Sequence, residues 1–170
     1  MKNSDFVALD FETACHRRDS ACAVALVRVE KDRVTKRIFH LIKPPQREFV
    51  FTHIHGISWK DVAREKTFAE IWPSLLPMFR GVEFIAAHNA PFDRSVMHAC
   101  CEAYGLKPPD IPFVCTVRLA REKWGLNPTT LPDVCGHLRI ELDHHNASSD
   151  AYACAQIVIA SRRLARSGRP

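Results

Sequence analysis

Four carboxylates in this chain stand where they could act together. Asp10 and Glu12 end the apolar run VALDFET, Val7 to Thr13. Side chains alternate faces along a strand, so residues two apart point the same way, and like charges so placed repel. Asp93 follows the apolar run VEFIAA, within HNAPFD at the start of a helical pattern. Asp150 lies in HHNASSD, at the start of the last such pattern. Each position is a strand or helix terminus that can reach the edge of a sheet, where open α/β sheets bind their ligands. Oxygen-rich clusters suit hard divalent cations such as Mg²⁺ or Mn²⁺, and a shared cation turns the repulsion between Asp10 and Glu12 into joint coordination. His145 precedes Asp150 by five residues, which on a continuous helix is about 140° of rotation. It is therefore expected on the loop ahead of the helix, leaning back toward the carboxylates. A neutral imidazole there could take a proton from water.

The elements that must position these groups can be read from periodicity. Phe6 to Phe11, Ala21 to Glu30 and Val34 to Lys43 read as strands, with Lys-Asp-Arg turning the second into the third as a hairpin and Pro44-Pro45 ending it. The stretch from Gln46 to Val62 reads as loop with one short helix. Thr67 to Phe79 has helical spacing, and Pro73 and Pro77 predict a kink or a shortened end. Val82 to Ala87 and Ile111 to Cys115 are short strands. Ala90 to Tyr104, Thr116 to Trp124, Thr130 to Leu138 and Ala147 to Ala165 are helices, the last capped by Asn146. Strands first, then strands separated by helices, predict a layered α/β domain on a mixed sheet.

Composition sets outer limits. A chain of 170 residues, 46% apolar and 25% charged, suits one domain with its own core, spanning 1–170. No run is long enough to span a membrane, MKNSDF has no signal-peptide character, and the cysteine pattern points to a cytoplasmic location. Seven cysteines, an odd number with no CxxC pair, read as reduced and mostly buried thiols. The spacing of Cys135, His137, His144 and Cys154 matches no usual zinc pattern. The net charge of +5 is a modest pointer toward a polyanionic partner.

The three acidic segments VALDFET, AAHNAPFD and HNASSDA together resemble, in order, spacing and context, the DEDDh 3′–5′ exonucleases. That family includes the proofreading subunit of the bacterial replicative polymerase. The spacing matches its histidine subclass: the tyrosine subclass carries Tyr at the place of Asn146. The resemblance implies a ribonuclease H-like α/β fold, with a central five-stranded mixed sheet flanked by helices. It implies two Mg²⁺ or Mn²⁺ ions per active site held by Asp10, Glu12, Asp93 and Asp150, with His145 as general base. The implied activity is two-metal hydrolysis of the terminal phosphodiester of DNA or RNA, releasing nucleoside 5′-monophosphates. Its partner is a nucleic acid with a free 3′ end, expected single-stranded. A homodimer or a polymerase or repair partner stays open. So do two alternatives: an RNA-directed exoribonuclease, and a non-catalytic nucleic-acid-binding module on the same fold.

Substrate contacts are expected from Thr13, beside the metal strand, and from His55, Gly56 and Ile57 in HIHGIS, which resembles the family's loop over the terminal nucleotide. A tight turn with a packed Ile explains that loop as readily. His88 and Asn89 could support the metal carboxylate or a phosphate, or simply cap the turn into the helix. Phe11, facing away from the carboxylates, Phe92 and the three tryptophans read as core or partial core. Arg162, Arg163, Arg166 and Arg169 could line the path of a single strand, with a solvated, dipole-complementing helix end as the default reading.

Overall fold

The computed structural model describes residues 4–168. Five strands form one sheet in the order β3-β2-β1-β4-β5: β1 Phe6–Thr13, β2 Ala21–Glu30, β3 Arg33–Leu41, β4 Phe84–Ala87 and β5 Phe113–Cys115. β1 pairs antiparallel with β2 and parallel with β4, so it lies where the sheet changes sense. β3 is antiparallel to β2, and β5 parallel to β4. This is the five-stranded mixed sheet, flanked by helices, of the ribonuclease H-like fold.

Alternation along β1 divides the molecule. Val7, Leu9 and Phe11 join a core with α3 (Phe68–Leu75) and α4 (Ala90–Ala103). Phe6 and Ala8 face the other way, into a core with α5 (Thr116–Trp124), α6 (Leu131–Leu138) and α7 (Ala147–Ser167). Each fully buried Leu, Val or Phe is worth about 1.5–3 kcal/mol, so the period of two fixes the register: a one-residue slip would expose every apolar side chain of the strand. The same alternation sends Asp10 and Glu12 to the α7 face. Their cross-strand partners on β2 are Ala25 and Ala23, small enough to leave space beside the acids.

Several boundaries differ from the sequence expectation. The stretch before Val62 forms two one-turn helices, α1 (Thr52–His55) and α2 (Trp59–Val62), where one was expected. Gly56 separates them at φ +77°, a conformation that favours glycine. The Thr67–Phe79 pattern splits into α3, closed at its start by a Thr67–Glu70 capping box, and a 3₁₀ turn over Leu76–Phe79 with Pro77 in its opening positions. A proline tolerated there would break a continuing α-helix.

The basic end of α7 corrects the reading of its arginines. Arg162 is 5% exposed, donates to Asp32 Oδ1 at 2.7 Å and lies over the rings of Phe6 and Phe84. Arg166 reaches Asp32 Oδ2 at 2.7 Å. These two side chains clamp the helix to the β2–β3 turn; Arg162 is buried there and is not part of a solvated helix end, while the Arg166 side chain stays 44% exposed. Arg163 is exposed, and Arg169 lies outside the described residues. Phe11 and Trp72 are buried; Trp59 and Trp124 are half-buried. All seven cysteines are free thiols. Among the described residues no helix is long and apolar enough to cross a membrane.

Candidate active site

Two helices deliver acids to the end of β1 in the same way. Asp93 is the fourth residue of α4 and Asp150 the fourth of α7. A carboxylate in the first turn complements the positive end of the helix dipole. α4 starts from Asn89 in the left-handed region and carries Pro91 in its first turn, where the missing N–H costs no hydrogen bond. α7 starts from Asn146, whose side chain accepts from the Ser148 N–H at 3.1 Å.

Ligand oxygens of Asp10, Glu12 and Asp150 lie within 4.8 Å of one another. Asp93 is buried beside them, its Oδ1 accepting the Phe11 N–H at 3.1 Å. The β1–β4 ladder ends at Ala8 and Ala86. Asp93 thus bonds to β1 just past the point where the two parallel strands part.

The electrostatics follow from this crowding. Burial, then Asp93, Glu12 and Asp150, push the Asp10 carboxyl well above its usual range. Burial and then Asp150 raise Glu12 to about 8. Burial raises Asp93 to about 8 against the opposing hydrogen bond from Phe11. Asp150 is raised by burial despite its histidine neighbours. Its Oδ1 is buried with no hydrogen-bond partner among the described residues. A buried acceptor left open is costly unless something else satisfies it. Acids held this close, one with an open oxygen, fit a hard divalent cation.

His145 sits on the loop ahead of α7 at φ +66°. Its backbone N–H donates to Asp150 Oδ2 at 3.2 Å. Its ring stacks on His144 at 3.8 Å between centroids, and it is His144 Nδ1 that reaches the same Asp150 oxygen, at 3.0 Å. Burial, followed by the charge of His144, lowers the His145 pKa, which favours the neutral form a base needs. Sequence spacing missed His144, because the left-handed backbone at His145 turns both imidazoles toward one patch. The only available signal was the His-His pair itself.

The expected contact residues lie in different surroundings. His55 Nε2 donates to the Thr13 carbonyl at 3.1 Å, and its Nδ1 accepts the Ile57 N–H at 3.1 Å. His55 therefore ties the HIHGIS loop to β1. Thr13 itself is buried. A cleft of about 350 Å³ runs from Glu12 and Ala23 to Phe39, Leu41, Ile54 and Ile57, with His55, His144 and His145 also on its walls. Phe39 and Ile54 are among the few large apolar side chains left exposed. Sequence reasoning did not single out Phe39, Leu41 or Ile54, although β3 residues opposite Ala23 and Ala25 share the carboxylate face. His88 donates from Nε2 to the Thr129 carbonyl and accepts at Nδ1 from Thr116 Oγ1 at 2.8 Å. Both ring nitrogens are committed to internal bonds. Asn89 is exposed at the start of α4, its side chain making no cap bond.

A family model for exonucleases of the RNase T type matches residues 7–158. The chain belongs to this exonuclease family. The exonuclease domain is 29% identical to exodeoxyribonuclease 10 of Escherichia coli strain K12, over 89% of this chain and 66% of that protein's length. Its fold matches that of exonuclease X in complex with 5′ overhanging duplex DNA, with a TM-score of 0.75 and 24% identity over 97% of this chain and 94% of that one. The nuclease domain of 3′hExo, described as a DEDDh family member bound to rAMP, matches with a TM-score of 0.77 and 14% identity, over 97% and 93% of the two chains. Family and fold both agree with the resemblance drawn from the three acidic segments.

Proposed function

We propose that this exonuclease domain removes nucleotides from the 3′ end of a nucleic acid as nucleoside 5′-monophosphates, using two Mg²⁺ or Mn²⁺ ions. The observation that carries this reading is the meeting of Asp10, Glu12 and Asp150 within 4.8 Å, beside a buried Asp93. Asp10, Glu12, Asp93 and Asp150 would hold the cations. When bound, paired cations stabilise the attacking and leaving oxygens of an in-line displacement. The neutral His145 imidazole would accept the proton of the attacking water, with His144 stacked on it and hydrogen-bonded to Asp150. The cleft ending at Phe39 and Ile54 would receive the terminal nucleotide. Its apolar walls offer stacking area that any base can use, and the His55 tie holds Ile57 against it. Residues 1–170 would act as one exonuclease unit, and the free thiols fit a reducing compartment such as the cytoplasm.

DNA is favoured as substrate by the relative named exodeoxyribonuclease, and single-stranded 3′ ends fit a site that grips one terminal nucleotide. An RNA-directed reading has one specific support, the comparable fold match to a 3′-exonuclease solved in recognition of a histone mRNA stem-loop. The deciding experiment follows 5′-labelled DNA and RNA oligonucleotides, single- and double-stranded, in Mg²⁺, in Mn²⁺ and in chelator. A ladder shortening from the 3′ end, on DNA first, is expected. Release of the 5′ label as a mononucleotide would overturn the polarity. Binding without cleavage in either metal would make the domain a non-catalytic module.

A further inference from the structure

A second cleft, of about 450 Å³, lies at the other end of the sheet, between the start of α4 and α5 along the free edge of β5. It is lined by Pro91 and Arg94 from α4, Val114 and Cys115 from β5, and Arg118 and Glu122 from α5. Arg94 and Arg118 are exposed, and among the described residues neither makes an ion pair. Arg94 directly follows Asp93. A third cation approaches the same helical turn from the β1–β2 loop, where Arg18 rests 4.5 Å over the ring of Phe92. The cleft therefore begins one residue from a carboxylate of the site and carries an excess of positive charge.

The sheet order makes its use specific. The cleft ending at Phe39 lies on the β2–β3 side of the carboxylates, and this one lies on the β4–β5 side. With a terminal nucleotide held on the first side and its phosphodiester at Asp10 and Glu12, the β4–β5 side is left for the rest of the strand. We propose that the β5-edge cleft is the track for the upstream strand, with Arg94 and Arg118 contacting the phosphates that precede the scissile one and Glu122 opposing them. The proposal rests on the exonuclease reading and adds where the substrate's body lies. Arginine suits the role because its planar guanidinium forks onto phosphate oxygens.

The test compares a dinucleotide, which has only the scissile phosphodiester, with an octanucleotide, in the wild type and in Arg94→Gln/Arg118→Gln. The double variant should raise KM for the octamer, leave kcat/KM for the dinucleotide unchanged, and flatten the log KM against log salt slope by roughly 1.4, at about 0.7 per single-strand phosphate contact. Glu122→Gln should lower the octamer KM. Equal losses on both substrates, or an unchanged salt slope, would overturn the track. A wild type that cleaves neither substrate would overturn the exonuclease reading instead. Octamer binding, followed by fluorescence anisotropy against salt, would then decide the track by the same change in slope.

Discussion

Asp10, Glu12 and Asp93 are held in a folded chain that disfavours their charge, and this has a measurable sign. Their folded pKa values lie above those of an unfolded chain, with Glu12 and Asp93 at about 8. The metal-free folded state therefore binds more protons than the unfolded state between about pH 4 and 8, and its stability falls as pH rises through that window. Thermal melts in chelator should show a falling midpoint from pH 5 to 8. Mn²⁺ should restore it, by more at pH 8 than at pH 6; a chelated protein that grows more stable toward pH 8 would contradict the buried cluster. Replacing Asp10 or Asp150 by alanine should leave the fold intact and cut kcat by ~10³-fold or more, as loss of transition-state charge stabilisation requires. His145→Ala should lower kcat with metal binding kept, and should remove the acidic limb of the pH–rate profile. If His144→Ala does this instead, the two histidines exchange roles, and the hydrogen bond from His144 Nδ1 to Asp150 makes that comparison necessary.

Among the elements, α7 matters twice. Its first turn presents Asp150, and its last turns are fastened to the β2–β3 hairpin through Arg162, Arg166 and Asp32. Asp32→Ala leaves Arg162 buried without its partner, which should destabilise the domain by about 3–5 kcal/mol. Denaturant melts would read the loss, while kcat in Mn²⁺ below the melting range should change little. This clamp was not legible in the sequence, because it depends on a turn residue 130 positions from its partner and on a helix face that periodicity describes only as mixed. What periodicity does describe, it describes well: β1, β2, α4 and α7 bury enough apolar surface to override local ambiguity. The weaker pattern at 67–79 broke where Pro77 could not continue an α-helix. The 46–62 stretch holds two helices of four residues each, too short for a 3.6-residue period to show.

For the molecule as a whole, the carboxylates could be found in the sequence because each needs a strand or helix end, and such ends leave local marks. Phe39 and Arg118, on the walls of the two clefts, leave none, since they become neighbours of the site only through the order of the strands. Stripping divalent ions should abolish cleavage without unfolding the protein, with circular dichroism in chelator as the check; loss of the folded signal would mean that the cation builds the domain as well as its chemistry. One bond complicates any mutational survey of this centre. The Phe11 amide has Asp93 as its acceptor where β1 and β4 diverge. Asp93→Ala would therefore unseat the tip of the central strand together with Asp10 and Glu12, so a dead variant would report collapsed architecture as much as a missing ligand. Asparagine, which keeps an oxygen for that amide, is the replacement that separates the two.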